Sequence, residues 1–469
     1  MGAPGRVDTP FARAWRDRVN LQLDVFAGER LMAQIGHDPL DDTWTLSYAN
    51  DWKGDPHAYP LSPALPLKEP ERGYDARSIK RFIEHLLPEG HALDVAVAAN
   101  GLTKSNVYGL IRALGTETAG VVRFLEAGAG IGTDAAGHPM REIRIGELDA
   151  RIADRVMPFT VWDGKVRMSV AGVQDKLLVY LDAPLEHGGR LFLVEGPHLA
   201  STHILKPDLD NPRLPHLAVN EHFCMTLARS IGLPVAEVQL LRTPRPVLVV
   251  GRFDRIVREQ DGLTWVERLH MVDACQACDL PISFKYERNL GNGPELRIIR
   301  EGMSFERLFG LGELTANKAQ AKLTMLRWAL FQFLIGNSDG HGKNFSFFVG
   351  PGGYLEPTPW YDLVSVVQYA HFDTDLAMAY GDAFTYDEVT PFALADFAIR
   401  CGIDRKLMRR EAQRLARAVT TAAPELANSH AYHDDERAFI MRVAVFVGQQ
   451  AHRLEALAQE AATIPAEFL

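Results

Sequence analysis

Leu21 to Phe26 alternates apolar and polar side chains, which predicts a strand with one buried face. Gly28-Glu29 supplies a turn, Leu31 to Ile35 a returning strand, and Trp44 to Tyr48 alternates again, so the chain opens on a small antiparallel sheet. Pro60, Pro63 and Pro66 remove backbone donors and fix φ, which predicts an extended, buried linker rather than a helix or central strand. Ile79, Phe82, Ile83, Leu86 and Leu87 fall at helical spacing, and Pro88 stops that helix. Further helices are predicted from His91 to Asn100 and Asn106 to Leu114, with a closing strand from Gly120 to Leu125. A domain boundary is expected at the Ala127 to Gly132 glycine cluster, which opens onto no helix and so is not a phosphate loop.

Beyond it the pattern becomes strand-rich. Leu148 to Ile152 reads as a short helix. Val166 to Leu181 reads as strand, glycine turn and strand, and Arg190 to Val194 and His203 to Pro207 as strands. One prominent helix, Leu217 to Leu233, precedes strands at Val235 to Leu241 and Val247 to Val250. From about Ser304 the pattern turns helical. Ala316 to Ile335 is the longest periodic segment, with Leu323, Leu326, Leu330, Phe333 and Leu334 on one face, followed by helices near Pro391 to Cys401, Arg405 to Val419 and Glu436 to Ala461. The expected divisions are an extension over 1–20, an α+β block over 21–128, a strand-rich block over 129–310 and a helical block over 311–469.

Composition narrows the class. A chain of 469 residues exceeds one typical core, and 47% hydrophobic with 23% charged residues is ordinary for a soluble globular protein. The net charge of −10 argues against this chain being the main grip on nucleic acid, since phosphate binding needs a positive field. Four cysteines, Cys224, Cys275, Cys278 and Cys401, suit a reducing cytoplasm better than a disulfide framework. Cys275 and Cys278 have CxxC spacing but no second pair, so helix packing is expected rather than zinc. No apolar run approaches a membrane span, and Met1 to Asn20 lacks the apolar core of a signal peptide.

The candidate chemistry centres on Asn337-Ser338-Asp339-Gly340-His341-Gly342-Lys343-Asn344-Phe345, set between a long apolar run and a strand-like run. A carboxylate with an amide five residues on, and a second carboxylate at Asp362, is what metal–nucleotide phosphotransfer requires: one acid takes a proton, and the amide and other acid hold Mg²⁺. Alone, the loop reads more readily as a turn, because Asn, Ser, Asp and Gly are turn residues. Asp362 tips the balance, although it also fits a helix N-cap before Leu363 and Val364. Lys206, on a short apolar strand, reads as a phosphate-binding lysine, with Glu221 on the next helix as its partner or as a solvated acid. Backbone N–H groups of the Ser169 to Lys176 turn could cradle phosphates, and Ser169 could accept one. His341 and Lys343 read as phosphate contacts or solvated loop residues.

These pieces, in this order, resemble the HipA-type serine/threonine kinases, the toxins of bacterial HipBA toxin–antitoxin modules. The resemblance runs through Pro60-Leu61-Ser62, Leu86-Leu87-Pro88-Glu89, Ser169-Val170-Ala171-Gly172-Val173-Gln174-Asp175-Lys176, His203-Ile204-Leu205-Lys206, Asn220-Glu221, Arg252-Phe253-Asp254-Arg255, Lys285-Tyr286-Glu287, Asp339 to Ser346 and Tyr361-Asp362. It implies an α+β, bilobal protein-kinase-like fold, with a strand-rich N-lobe and an all-helical C-lobe behind a small α+β N-terminal subdomain. It implies ATP and Mg²⁺, with Asp339 as catalytic base, Lys206 on the ATP phosphates, and Asn344 and Asp362 on the metal. Val170, Ala171, Gly172, Val173, Gln174, Asp175, Lys176, Phe253, His341, Lys343 and Asn344 would surround the nucleotide, Phe253 near the adenine. Ser169 matches the autophosphorylated serine whose modification switches family members off. The resemblance further implies a HipB-like helix-turn-helix antitoxin, operator DNA reached only through that antitoxin, and a protein acceptor, aminoacyl-tRNA synthetases being known family targets. Gly251, where relatives can carry glutamate, and Asp175, where glutamate is commoner, depart from the pattern. The competing expectations are a catalytically weak scaffold serving as antitoxin partner and corepressor, and a lipid or small-molecule kinase.

Overall fold

The computed structural model describes residues 21–131, 140–154, 158–167, 175–194, 199–208, 211–291, 293–372 and 374–469. The 1–20 extension and the Ser169 to Gln174 part of the glycine turn therefore lie outside the described residues.

Strands Leu21–Ala27, Arg30–Asp38, Thr43–Tyr48 and Val122–Glu126 form one antiparallel four-stranded sheet, with the first strand between the second and fourth. The alternation does the work expected of it: Trp44, Leu46 and Tyr48 are buried while Thr43, Thr45 and Ser47 are exposed. The proline-rich stretch lies against this sheet. Tyr48 donates to the Leu65 carbonyl (2.6 Å) and accepts from the Leu61 N–H (2.8 Å), so Leu61 and Leu65 are fully buried. Helices Ala76–Glu84, Gly90–Asn100 and Val107–Leu114 complete this part, the first capped by Asp75 and the third by Asn106.

A six-stranded antiparallel sheet follows, in the spatial order Val238–Arg242, Pro246–Gly251, His203–Pro207, Leu177–Leu181, Leu191–Val194, Met140–Ile143. Helix Leu217–Ser230 packs on its Val238–Gly251 end, and a separate apolar cluster built from Ile143, Leu148, Leu177, Val179 and Leu205 covers another part. The hairpin Arg255–Gln260/Leu263–Arg268 was not expected from the pattern; its first strand is largely exposed and polar, so it lacks an apolar face to read.

The 311–469 stretch is not all-helical, contrary to expectation. Strands Ser346–Val349 and Leu355–Pro357 pair with each other, and the former also pairs with Met271–Asp273 from the preceding block. These strands are three or four residues long, too short to show a period, yet they satisfy the backbone of a buried segment. Helix Lys318–Ile335 also differs from the one-faced expectation: nearly every position from Thr324 to Ile335 is buried, because other elements pack all round it. The longest helices are Asp434–Ala461 and Arg405–Ala427, packed on one another.

One continuous apolar core runs from Leu23 in the first sheet through Phe223, Phe333 and Phe345 to Leu454. The architecture is a mixed α/β one. Among the described residues no helix is long and apolar enough to cross a membrane.

Candidate functional site

Helix Lys318–Ile335 delivers the Asn337–Asn344 loop. It ends at Gly336 with φ +68°, and a Cβ there would meet Val367 and Phe446 side-chain atoms at 2.5–2.6 Å, so glycine is required both by conformation and by space. The loop is then fixed from inside. Asn337 Nδ2 donates to Gln332 Oε1 (2.8 Å), and the His341 N–H donates to the Asp339 carbonyl (2.8 Å) and to Asn344 Oδ1 (3.1 Å). A tight turn over Gly342–Asn344 leads into strand Ser346–Val349. Cβ placement at Gly342 would bring 2.5 Å contact with Met303 and 2.6 Å contact with Cys275 Sγ. Cys275 and Cys278 are free thiols of a short helix, Ala274–Ala277, and its C-terminal flank, so the CxxC spacing serves packing against the loop.

The loop opens on a cavity of about 960 Å³ lined by Lys206, Phe253, Asp339, His341, Asn344 and Asp362, and also by Asp175, Lys176 and Lys343. Ser169, Val170, Ala171, Gly172, Val173 and Gln174 lie outside the described residues, so the cradle and the modification site expected there are not placed.

Lys206 stands on the central region of the six-stranded sheet, and its ammonium donates to Glu221 Oε1 (2.7 Å) on helix Leu217–Ser230 and to Asp362 Oδ1. Glu221 is thus Lys206's partner rather than a solvated acid. Burial works against the ammonium charge, but Asp362 and Glu221 outweigh it and hold Lys206 above its ordinary range. Burial likewise opposes the Asp362 charge, and Lys206 and Lys176 overcome it and hold that carboxyl below its usual range. Burial raises Glu221 in spite of Lys206. Burial, aided by Lys206 and opposed by Asp362, brings Lys176 down to about 8.

Asp362 caps no helix. It sits at φ +54°, a left-handed conformation that Asp tolerates better than most residues. The segment around it is pinned on both sides. Trp360 bridges to Val235, and Asn220 donates to the Ser365 carbonyl (3.1 Å) and accepts its N–H (2.9 Å). Asn344 Nδ2 reaches Asp362 Oδ2 at 3.4 Å. Asp362 offers carboxylate oxygens of the kind Mg²⁺ takes, and Asn344, whose Oδ1 accepts from the His341 N–H while its Nδ2 meets Asp362, would turn its amide oxygen to a metal held there. Ser338, also at the cavity wall, has its Oγ buried with no hydrogen-bond partner among the described residues.

Asp339 is exposed, and its Oδ1 accepts from the Tyr286 hydroxyl at 2.7 Å. Phe253 lies between Phe348 and Tyr361, with ring centroids 5.9 and 5.8 Å away. Gly251 needs no glycine conformation, and a Cβ there would find only ordinary contacts, the nearest Glu237 Cβ at 3.4 Å.

Lys343 lines the cavity, yet its ammonium is engaged on the other side by His85 Nδ1 (2.9 Å), Glu89 Oε1 (3.3 Å) and Asp273 Oδ2 (3.4 Å). Burial opposes ionisation of Glu89, but Lys343 and Lys285 bring it down to about 2. Sequence reading gave no role to Glu89, Asn220, Tyr286 or Asn337. Only their places in the Leu86-to-Glu89, Asn220-Glu221 and Lys285-to-Glu287 runs, and beside the loop, could have flagged them.

Residues 168–424 match the family model described as the HipA-like C-terminal domain, and residues 23–125 match the HipA N-terminal domain. A Shewanella oneidensis protein named serine/threonine-protein kinase toxin HipA is 40% identical over 408 residues, covering 87% of this chain and 89% of the relative. A Sinorhizobium fredii protein named as a kinase is 34% identical over 400 residues, covering 83% of this chain and 87% of the relative. Among solved structures, the complex of Shewanella oneidensis HipA, HipB and operator DNA superposes with a TM-score of 0.83 at 38% identity, over 95% of this chain and 100% of that one.

Proposed function

The chain belongs to the HipA family of serine/threonine-protein kinase toxins, and from that premise we propose that the cavity transfers the γ-phosphoryl group of Mg-ATP to a serine or threonine hydroxyl of another protein. The carrying observation is that Lys206, Asp339, Asn344 and Asp362, spread over more than 150 residues of sequence, meet at one cavity wall.

Each residue has one part in the step. Lys206, held by Glu221, offers its ammonium to the phosphate oxygens. Asn344 and Asp362 would hold Mg²⁺, which supplies positive charge against the phosphates. Phe253 gives the adenine an apolar face, and His341, Lys176 and Asp175 border the phosphates. Asp339 accepts the proton of the acceptor hydroxyl. That oxygen bonds to the γ-phosphorus, the bond to the β,γ-bridging oxygen breaks, and ADP leaves with the electron pair. Lys343 acts differently from its sequence-based assignment: its charge is matched by Glu89 and Asp273, so it anchors the loop rather than the nucleotide.

The same reading divides the chain into a small N-terminal subdomain and two kinase-like lobes with the cavity between them. It takes an aminoacyl-tRNA synthetase as the acceptor class, autophosphorylation of Ser169 as the off-switch, and a HipB-like helix-turn-helix antitoxin as partner, through which the acidic chain reaches DNA. Support comes from the HipA–HipB–DNA relative and the net charge of −10.

Incubating the purified chain with γ-labelled Mg-ATP and a bacterial lysate tests the proposal. Wild type should label protein, and Asp339→Asn and Asp362→Ala should each reduce the label by about 10²–10⁴-fold. Full transfer by either variant would overturn the assigned roles. Calorimetry showing no ATP binding, with antitoxin still bound, would favour the scaffold reading.

A further inference from the structure

Lys285-Tyr286-Glu287 is laced to the Asn337–Asn344 loop through its backbone. The Gly342 N–H donates to the Lys285 carbonyl (3.0 Å), the Glu287 N–H donates to the Ala377 carbonyl (2.9 Å), and the Ala377 N–H donates to the Ser338 carbonyl (2.9 Å). Between these ties the Tyr286 hydroxyl reaches Asp339 Oδ1 at 2.7 Å. The phenol ring stands edge-on to His341, with centroids 5.2 Å apart, and the Lys285 ammonium lies 5.5 Å from the ring centroid. Lys285 is itself held by Glu89 Oε2 at 2.9 Å. The charged or titratable groups facing the Tyr286–Asp339 pair are thus His341, Lys285 and Glu89. Burial, then the Asp339 charge, keeps the phenol protonated, so its role in the bond is that of donor.

A tyrosine–carboxylate bond of this kind could serve stability alone. Its position argues otherwise. Asp339 is exposed, and a polar contact at an exposed group contributes little to folding because water replaces it. An unrestrained carboxylate at that place would turn about its terminal torsion, which has no deep staggered wells. What the bond supplies is aim.

We infer that Tyr286 is a positioning residue for phosphoryl transfer. Its hydroxyl holds one oxygen of Asp339, which leaves Oδ2 directed to the incoming acceptor hydroxyl. This rests on the reading of Asp339 as the base. The proton moves from the acceptor to Oδ2, the acceptor oxygen bonds to the γ-phosphorus, and ADP departs with the bridging electron pair; Tyr286 neither gains nor loses a proton. Fixing the base before the acceptor arrives removes a rotational search from the activation step.

The experiment compares wild type, Tyr286→Phe and Asp339→Asn by initial rates of label transfer from γ-labelled Mg-ATP to lysate protein, together with the Kd for Mg-ATP from calorimetry. Tyr286→Phe keeps the ring on His341 and deletes only the hydroxyl. Its kcat should fall roughly tenfold or more while KM and Kd for ATP stay within about twofold of wild type. A kcat equal to or above wild type overturns the inference, because the hydroxyl then either does nothing or competes with the acceptor. A loss confined to ATP affinity overturns it as well, since that is what a merely structural wall residue would show. Should Asp339→Asn retain full transfer, the reading of the base falls first. With Asp339→Asn inactive and Tyr286→Phe unchanged, only the role of Tyr286 falls.

Discussion

At the scale of single residues the site is a balance of buried charges. Lys206 faces two carboxylates, Glu221 and Asp362, and each charge is tolerable because the others are present. Replacing Lys206 by methionine leaves the acids facing one another with only Lys176 near. Lys206→Met should therefore lower unfolding free energy by about 3–5 kcal/mol, read from urea denaturation, in addition to abolishing transfer. Adding Glu221→Gln should recover part of that loss; a double variant as unstable as the sum of the two singles would show the pair is not coupled. These residues were legible in the sequence to unequal degrees. Asp339 and Asn344 read alone more readily as turn residues, and only Asp362 further along the chain made them candidates. Glu221 could only be weighed against a solvated role, since nothing in a helix spacing says which strand it faces. Tyr286 carried no spacing signal at all, because its bond to Asp339 spans 53 positions.

At the scale of elements, what decides function is how closely the loop is packed. Gly342 leaves no room for a methyl group between Met303 and Cys275. Gly342→Ala should destabilise the fold by about 1–3 kcal/mol and lower transfer by displacing Asn344. Gly448, inside helix Asp434–Ala461 with open space around its missing Cβ, is the control. Gly448→Ala should raise stability by about 0.5–1 kcal/mol and leave transfer unchanged. A thermal melt and the same label-transfer rates read both variants, and equal behaviour of the two would refute the packing argument. The opening sheet and most helices were visible in the sequence because each has one wet and one dry face. Helix Lys318–Ile335 was visible as a helix, but its burial on all sides was not. Strands Met271–Asp273, Ser346–Val349 and Leu355–Pro357 escaped or were only hinted at, since three or four residues cannot display a period, and the pairing of the first with the second joins segments some 75 positions apart.

At the scale of the whole molecule, distant parts share one core and several buried polar ties. Glu117 links the N-terminal part to Arg252, Arg255 and Arg268, while Asp254 accepts from the Gly120 N–H, and His270 Nε2 meets the Leu61 carbonyl at 2.9 Å. Acid should test these ties in a defined order. Burial brings His203, His222 and His270 down to about 4 from the ordinary 6.5. Below pH 6.5 the unfolded chain takes up protons at these positions and the folded chain does not, so the stability these three histidines contribute is fully present above about 6.5 and is lost as pH falls towards 4, while Glu221 and Glu287, which burial raises to about 7, act in the opposite sense as pH falls through 7. Each histidine accounts for at most about 3 kcal/mol of that loss. Urea midpoints at pH 7.5, 6 and 5 read the balance, and His270→Gln, which can still donate to Leu61, should raise the pH 5 midpoint relative to the pH 7.5 one when compared with wild type. A difference between those midpoints unchanged by His270→Gln would place the acid sensitivity elsewhere.

The crowding behind Gly336 has a further meaning in the order of synthesis. Phe446, one of the side chains against which the helix end turns, lies about 110 positions downstream of it. Arg242 and His222 likewise wait for Glu436 and Tyr432. A nascent chain that has already emerged past Asp362 holds every residue assigned to phosphoryl transfer, but the surface that shapes their loop has not yet left the ribosome. The loop's backing is thus completed after its chemistry is in place: helix Asp434–Ala461 packs behind Gly336 rather than lining the cavity, so the helix end is held as it is in the folded protein only once Phe446 has emerged.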